Sequence, residues 1–331
     1  MKKLSFYLIA LLITLSATLS SFSVKENPVK RSANNLDEFE VLVNYLENNG
    51  NYINTAAPSL LSPGEVKKNT KNQKYHIIDI RSDSWFEYGH IKNAHNVKPS
   101  ELLNYFENKI EPTNYDKIVL VCYSGQSAAY YTSLLRLAGY DNTYSMKWGM
   151  SSWRADFAEK SWTKYVKADH SDKLETKENT KLPKGNHPVL NTGKTDPKDI
   201  LRARLEERFA IPYKESIVKC TDVFENPGNY YTINCCPEEV YKLGHLPGAV
   251  HYDPHSLSAD KDLYTLPADK KVVVYDLTGQ GSAYIVAYLN VLGYQGGNIG
   301  YGANSFMNKE LKAKGLDAFS KKQINMYPVV E

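Results

Sequence analysis

A cysteine lies between a short apolar run and a helix-forming segment. The run Ile118–Val121 is entirely aliphatic, which predicts a fully buried strand that ends at Cys122. From Ala128 to Ala138 apolar residues recur at helical spacing, and Gly139 is suited to the end of that helix. The pattern therefore predicts a thiol in a tight loop between a buried strand and the N-terminus of a helix.

Such a loop favours negative charge. Backbone N–H groups at a helix N-terminus have no partner within the helix, so they can point into the loop and bind an anion. In these surroundings a cysteine pKa can fall from about 8.5 to between roughly 3.5 and 7.5, which leaves the nucleophilic thiolate at neutral pH. We therefore predict Cys122 as the catalytic nucleophile. The predicted substrate-binding residues follow it directly: Tyr123, Ser124, Gly125, Gln126, Ser127 and Ala128. The alternative is that Cys122 is only a small buried side chain.

Length and composition indicate a globular protein with two domains. At 331 residues the chain can build two domains that each bury a core, and its 42% hydrophobic and 23% charged residues are typical of soluble proteins. A net charge of +3 argues against nucleic acid or an anionic membrane as a partner. The histidines lack ligand spacing and Cys235 is adjacent to Cys236, so we predict no metal site and no cofactor.

The N-terminus has the layout of a secretory signal peptide. Lys2 and Lys3 precede an apolar run from Leu4 to Leu19, and small residues follow it up to residue 23. The run is too short and too rich in Ser and Thr for a membrane span. We therefore expect an exported chain, periplasmic or secreted, with no membrane span once the signal is removed.

Export would place the cysteines in oxidising surroundings, where paired thiols tend to become disulfides. Three of the four cysteines lie in the second half of the chain, so Cys122 can stay reduced if two of those three pair with each other. A disulfide between Cys220 and either Cys235 or Cys236 is one alternative, and reduced thiols are the other.

Apolar strands alternate with helix-forming segments along both halves of the chain, which predicts parallel sheets covered on both faces. A polar, charged segment with few apolar residues separates the halves and predicts a linker. The predicted divisions are a signal peptide at 1–23, an N-terminal extension with a helix at 24–54, a first domain at 55–165, a linker at 166–195 and a second domain at 196–331.

The second half repeats the first. The segment Gly125–Tyr130 aligns without a gap to Gly279–Tyr284, and Gly89-His90 recurs as Gly244-His245. Repetition at this distance predicts two copies of one α/β domain. Because the histidine is present in both copies, we expect it to serve the fold.

The second copy lacks the thiol, since Asp276 aligns with Cys122. An aspartate surrounded by loop amides would occupy the position of an anion, and no acid or base partner is recognisable for Asp276 as a nucleophile. We therefore predict a non-catalytic second copy with a structural role or a role in docking a protein partner. The pair Asp79 and Arg81, absent from the second copy, is predicted to tie the end of a strand to a neighbouring loop; orientation of the active loop is the alternative.

Several motifs together resemble the tandem-domain rhodanese, or thiosulfate sulfurtransferase, family. They are Asp79-Ile80-Arg81, Gly89-His90-Ile91 with Ala94 and Asn96, Cys122-Tyr123-Ser124-Gly125-Gln126-Ser127-Ala128, and Trp148-Gly149 with Trp153. The resemblance covers about residues 55–155 and, as a degenerate copy, 215–310. It implies two tandem rhodanese-like α/β domains, each a mostly parallel sheet flanked by helices on both faces.

The same resemblance implies sulfur transfer through a persulfide. The loop from Cys122 to Ser127 would cradle a sulfur taken from a small anionic donor such as thiosulfate, and a thiol or cyanide would accept that sulfur. The sequence departs from the family in two ways. Ser127 stands where many single-copy members have a basic residue, and the cysteine is in the N-terminal copy, whereas two-copy members commonly have it in the C-terminal one.

Two other functions stay open at this point. A phosphatase or arsenate reductase uses a similar but longer loop with an arginine that binds the oxyanion, and the short loop without arginine argues against this class. The other is a non-catalytic exported module in which Cys122 carries or senses sulfur.

Overall fold

Two sheets of identical topology organise the protein, which we describe from a computed structural model covering residues 36–166 and 170–331. All strand pairs are parallel, with the order β1-β5-β4-β2-β3 in the first sheet and β6-β10-β9-β7-β8 in the second. The strands are β1 (Leu60–Leu61), β2 (Tyr75–Asp79), β3 (Ala94–Asn96), β4 (Lys117–Val121), β5 (Thr143–Met146), β6 (Ile217–Val218), β7 (Tyr230–Asn234), β8 (Val250–His251), β9 (Lys271–Tyr275) and β10 (Gly296–Ile299).

Helices cover both faces of each sheet, so the predicted fold of two tandem α/β domains is confirmed. In the described ranges they are α1 (Glu38–Asn48), α2 (Tyr52–Thr55), α3 (Pro63–Lys68), α4 (Asp83–Tyr88), α5 (Leu102–Asn108), α6 (Gln126–Leu137), α7 (Ala155–Lys160), α8 (Trp162–Tyr165), α9 (Pro197–Ala210), α10 (Cys220–Glu225), α11 (Glu238–Leu243), α12 (Gln280–Val291) and α13 (Asn308–Ala313). None of these helices is long and apolar enough to cross a membrane. The predicted signal peptide at 1–23 lies outside the described residues.

The central strand β4 delivers the cysteine. It pairs with β2 on one side and β5 on the other, and its residues Ile118–Val121 are fully buried, with alternate side chains in two different apolar clusters. Asp79, the last residue of β2, is in register with Val121, the last residue of β4. The two parallel strands therefore end at the same edge of the sheet, where ligands of such sheets bind.

The two copies share one apolar core. Helices α6 and α12, which follow β4 and β9, pack against each other, and the largest cluster of buried apolar side chains takes residues from both copies. Tyr284 of α12 reaches into the first copy, where its hydroxyl donates to the carbonyl of Ser59 at 2.8 Å and lies 2.9 Å from the hydroxyl of Ser145. The described chain from Leu36 to Glu331 forms one compact unit.

Each copy is also bordered by an extended segment. The linker pairs with the second copy through Glu175 and His245, and the C-terminal segment pairs with the first copy through Val330 and His90. The imidazole of each histidine stacks on an aromatic ring four residues earlier, with centroids 3.8 Å apart, and its Nδ1 lies 2.9 Å from that residue's carbonyl oxygen. These contacts agree with the predicted structural role of both histidines.

Candidate active site

The sulfur of Cys122 accepts hydrogen bonds from the backbone of its own loop. The N–H of Gly125 donates to Sγ at 3.1 Å, and the N–H of Ala128, in the first turn of α6, donates at 3.3 Å. Gly125 turns the chain into the helix with φ +87°, a conformation that glycine adopts without strain. Cys122 itself is only 1% exposed. Two peptide dipoles directed at one buried sulfur favour a negative charge on it.

The carbonyl groups of the loop are held from outside. The carbonyl of Cys122 accepts from the N–H of Met150 at 2.8 Å. The carbonyl of Tyr123 accepts from the N–H and the hydroxyl of Ser151, at 3.1 and 2.8 Å. The carbonyl of Ser124 accepts from the indole N–H of Trp162 at 2.9 Å. In a planar trans peptide the N–H points opposite to the carbonyl. Holding the carbonyls outward therefore turns the amides of residues 123–125 toward the interior of the loop.

The turn after β5 lies directly against this loop. Gly149 has φ +55°, and a Cβ at that position would lie 2.4 Å from the carbonyl oxygen of Cys122 and 2.5 Å from the nitrogen of Gly125. Its neighbour Trp148 also has a positive φ, +65°. The Trp148-Gly149 motif thus allows the backbone of the turn after β5 to approach the backbone of the Cys122 loop closely.

The side chains of the predicted site residues take different positions. Tyr123 is 36% exposed, and its hydroxyl accepts from the N–H of Ser82 at 3.2 Å. Ser124 is half-buried, with its hydroxyl accepting from the Gln126 side chain at 3.0 Å, and Ser127 is half-buried in the first turn of α6. The predicted residues thus form the loop that ends at Gly125 and the first turn of α6, and of these the amides of Gly125 and Ala128 contact the sulfur. Their role in binding a substrate stays a prediction.

Asp79 and Arg81 form a fully buried ion pair beside the loop. The Arg81 Nε and NH2 groups donate to both carboxylate oxygens of Asp79 at 2.7–3.0 Å, and neither side chain is exposed. The same guanidinium donates to the carbonyl of Gly89 at 2.7 Å and lies 5.9 Å from the centre of the Tyr123 ring. The pair therefore ties the end of β2 to the end of α4, as predicted, and it also borders the active loop.

In the second copy the equivalent loop closes on Asp276. The carboxylate accepts from the amides of Gly279 at 2.5 Å and Gly281 at 3.2 Å, and from the hydroxyls of Thr278 at 3.1 Å and Ser282 at 3.0 Å. Asp276 thus takes up the donors that a bound anion would otherwise use.

The remaining cysteines are buried in the second copy. Burial, with Asp276 as a smaller cause, raises the pKa of Cys235 and Cys236 far above the usual value, so both thiols stay protonated at neutral pH. The thiol of Cys220 donates to the carbonyl of Ser305 at 3.8 Å instead of forming a disulfide with either of them. Of the two alternatives left open by the sequence, the structure has the reduced thiols.

Two residues of this site have no signal in the local sequence. Trp162 comes from α8, and Gln280, whose Oε1 accepts from the N–H of Trp148, comes from the second copy. Within residues 36–166 and 170–331, no three His, Cys, Asp or Glu side chains are grouped so that they could hold a metal ion.

This loop at the carboxyl end of a parallel strand, in two copies of one domain, defines a class of protein. The Rhodanese-like domain family matches residues 62–156 and 225–308, just over half of the chain. The chain therefore belongs to the rhodanese-like domain family, and the resemblance inferred from the motifs is confirmed.

Individual relatives match about a quarter of the chain. Thiosulfate sulfurtransferase GlpE of Shewanella oneidensis is 32% identical over 94 residues, covering 28% of this chain and 89% of that protein. The protein of the same name from Pseudoalteromonas translucida is 31% identical over 85 residues, covering 25% and 77%. Among solved structures, the thiosulfate sulfurtransferase of Pseudomonas aeruginosa is 16% identical with a TM-score of 0.29, over 89% of this chain and 48% of that one.

Proposed function

We propose that this protein is a sulfurtransferase that moves a sulfane sulfur from a small anionic donor, such as thiosulfate, to a thiol or cyanide acceptor. One observation carries the proposal: in a rhodanese-like domain, the sulfur of Cys122 accepts from the amides of Gly125 and Ala128 at the N-terminus of a helix. The names of the relatives support the same class of reaction.

The reaction proceeds in two displacements. The Cys122 thiolate attacks the outer sulfur of thiosulfate, a new S–S bond forms on the cysteine, and the S–S bond of thiosulfate breaks as sulfite leaves with the electron pair. Cyanide then attacks the terminal sulfur of the persulfide. Thiocyanate is released, and the electron pair of the broken bond returns to Cys122 as thiolate. The loop amides stabilise the negative charge that develops on sulfur in both steps.

Backbone amides supply the anion binding in this proposal. Ser127 places no cation at the end of the loop, and the Arg81 guanidinium is already paired with Asp79. The donor site therefore depends on the orientation of the peptides more than on side-chain charge. The second copy, with its loop closed on Asp276, has no part in taking up the donor, and docking of a protein partner on it stays a prediction.

Whole-protein mass spectrometry after thiosulfate treatment tests the proposal. We expect the protein to gain one sulfur atom that cyanide removes, and Cys122→Ser to gain none. Cys235→Ser is the matched control, because it removes a buried thiol outside the loop and should still gain the sulfur. Absence of uptake by the wild-type protein would contradict the proposal, and hydrolysis of phosphate esters instead would favour the phosphatase class.

We also propose that the protein is exported. The layout of residues 1–23 supports this proposal. The test is N-terminal sequencing of the protein recovered outside the cytoplasm, with cleavage expected between Ala17 and Val24. Recovery of the uncleaved chain from the cytoplasm alone would contradict it.

A further inference from the structure

The first residue of α12, Gln280, belongs to the second copy, but its side chain lies against the loop of the first. It is fully buried. Its Oε1 accepts from the backbone N–H of Trp148 at 2.9 Å. Its Nε2 lies 2.4 Å from the position that a Cβ would take on Gly125, so the side chain fills the space left by that glycine.

The contact is reciprocal. Gln126, which aligns with Gln280, accepts from the N–H of Tyr301 in the second copy at 2.7 Å, and its Oε1 lies 2.6 Å from the Cβ position of Gly279. Gln280 and Gln126 therefore bind equivalent turns, since Trp148 and Tyr301 have φ +65° and +66°. In each copy the turn has a glutamine side chain from the other copy as its hydrogen-bond partner.

The turn held by Gln280 is the one that orients the catalytic loop. Trp148 leads into Gly149, whose backbone touches Cys122 and Gly125, and the next amide, that of Met150, donates to the Cys122 carbonyl at 2.8 Å. Trp148 is 5% exposed, so without Gln280 its N–H would lose its partner in a buried position. A buried N–H without a partner drives the backbone to rearrange.

We propose that Gln280 is a positioning residue for the Cys122 loop. By fixing the turn at Trp148, it keeps the amides of Gly125 and Ala128 directed at the sulfur. The inference rests on the proposed function for its reaction, and it gives the second copy a part in that reaction although Asp276 has replaced the nucleophile there.

Alkylation of Cys122 by iodoacetamide tests the proposal, since it reports the reactivity of the thiolate without any sulfur donor. We expect Gln280→Ala to lower the second-order rate constant by about 10- to 100-fold at neutral pH, the effect of displacing groups around a reacting atom by an ångström or less. The rate of sulfur uptake from thiosulfate should fall in parallel. An unchanged alkylation rate would overturn the proposal.

Asn290→Ala is the matched control. Asn290 lies on the same helix, about 15 Å further along, and is also buried, with its Oδ1 accepting from the N–H of Gly296 at 2.8 Å. Its removal should lower stability while the alkylation rate of the folded protein stays at the wild-type value. Equal slowing by Asn290→Ala and Gln280→Ala would assign the effect to stability and overturn the proposal.

Gln280→Glu supplies a readout that loss of stability does not produce. The carboxyl group keeps the shape of the amide and an acceptor for Trp148, and burial disfavours its ionisation. The ratio of the variant's alkylation rate to that of the wild type should be near one at acid pH and fall as pH rises. The side chain at 280 lies against Gly125, whose amide donates to the sulfur, so a carboxylate there would oppose negative charge on the sulfur. A ratio independent of pH would overturn the proposal. If the wild-type protein takes up no sulfur from thiosulfate, the proposed function fails, and these alkylation rates still decide the role of Gln280.

Discussion

Gly149 is the residue where the loop and its supporting turn come closest. A methyl group there would lie 2.4 Å from the Cys122 carbonyl oxygen, at a φ of +55°. We expect Gly149→Ala to cost roughly 2–5 kcal/mol of unfolding free energy, from left-handed backbone strain plus overpacking, and to lower sulfur uptake by Cys122. Urea unfolding and mass spectrometry measure the two effects.

Gly315→Ala controls for backbone strain alone, because Gly315 has φ +67° with nothing within 4 Å of its Cβ position. Its cost should be about 1–2 kcal/mol, with sulfur uptake unchanged. If the two variants lost the same stability and both took up sulfur at the wild-type rate, the close contact at Gly149 would have no role in shaping the loop.

The buried pair of Asp79 and Arg81 leads to a second prediction. Asp79→Asn leaves a guanidinium buried without its counter-charge, which typically costs about 3–5 kcal/mol. The midpoint of urea unfolding should fall accordingly. Asp156→Asn is the comparison, because Asp156 and Arg154 form a pair of the same 2.7 Å length with side chains 24–30% exposed; its loss should cost no more than about 1 kcal/mol. Similar costs for the two variants would contradict the argument from burial.

For single residues, the sequence predicts the members of the site that are adjacent in the chain. It does not predict those that only tertiary folding brings to the site. Cys122 and its loop stand out because a buried strand, a polar run and a helix follow one another. Gln280 is 154 residues from Gln126 and touches the loop only through tertiary packing. The one sequence signal for a role of Gln280 is that glutamine occupies the same position in both copies, as Gln126 and Gln280, whereas the next position changes from Ser127 to Gly281.

Elements with strong periodicity are predicted well, and those held by polar contacts are not. The predicted buried run Ile118–Val121 lies within β4, and the helix expected over 128–138 runs from Gln126 to Leu137. The linker, by contrast, has few apolar residues and shows no pattern. Its Glu175 nevertheless pairs with His245 and accepts from the N–H of Gly248 at 2.7 Å, and Leu174 and Leu190 pack against apolar clusters. Hydrogen bonds and a few isolated apolar contacts therefore fix the linker to the second copy.

The packing of β2 against its neighbours predicts a pH dependence of stability. Burial, with the nearby His95 as a smaller cause, lowers the pKa of His76 to about 4. In the unfolded chain a histidine has a pKa of about 6.5. Between these values the unfolded chain binds a proton that the folded chain does not, so the free energy of unfolding falls as pH decreases from about 6.5 to 4.

We expect His76→Phe to remove this contribution. The loss of unfolding free energy between pH 8 and pH 5 should be smaller than in the wild type by roughly 1–2 kcal/mol, as measured by urea unfolding at both pH values. The comparison at pH 8, where His76 is neutral in both states, isolates the cost of losing its contact with the Tyr105 hydroxyl, which is 3.0 Å from Nε2. A variant with the full wild-type loss at pH 5 would contradict the assignment to His76.

For the whole molecule, the repeat predicted two copies but not their shared core. Alignment shows that the copies are similar; it contains no information on which faces meet. In the structure the N-terminal helix α1 lies against the linker and the second copy. Phe39 stacks on His187 of the linker, with ring centroids 4.2 Å apart, and Glu40 accepts from the hydroxyl of Tyr264 in the second copy at 2.8 Å. The helices α6 and α12 are buried almost all round, which is possible only because each covers the other.

A shared core predicts that both copies unfold together, and the tryptophans allow a test. All four lie in the first copy: Trp85, Trp148, Trp153 and Trp162. Leu246 is fully buried in a separate apolar cluster of the second copy, so Leu246→Ala should cost about 2–5 kcal/mol without touching the first copy. Because unfolding of one core is cooperative, the urea midpoint seen by tryptophan fluorescence should fall by the same amount as that seen by far-UV circular dichroism. If the fluorescence midpoint stayed in place while circular dichroism showed two transitions, the copies would unfold as independent units. The contacts of Gln126 and Gln280 with the opposite copy would then not couple the stabilities of the two copies.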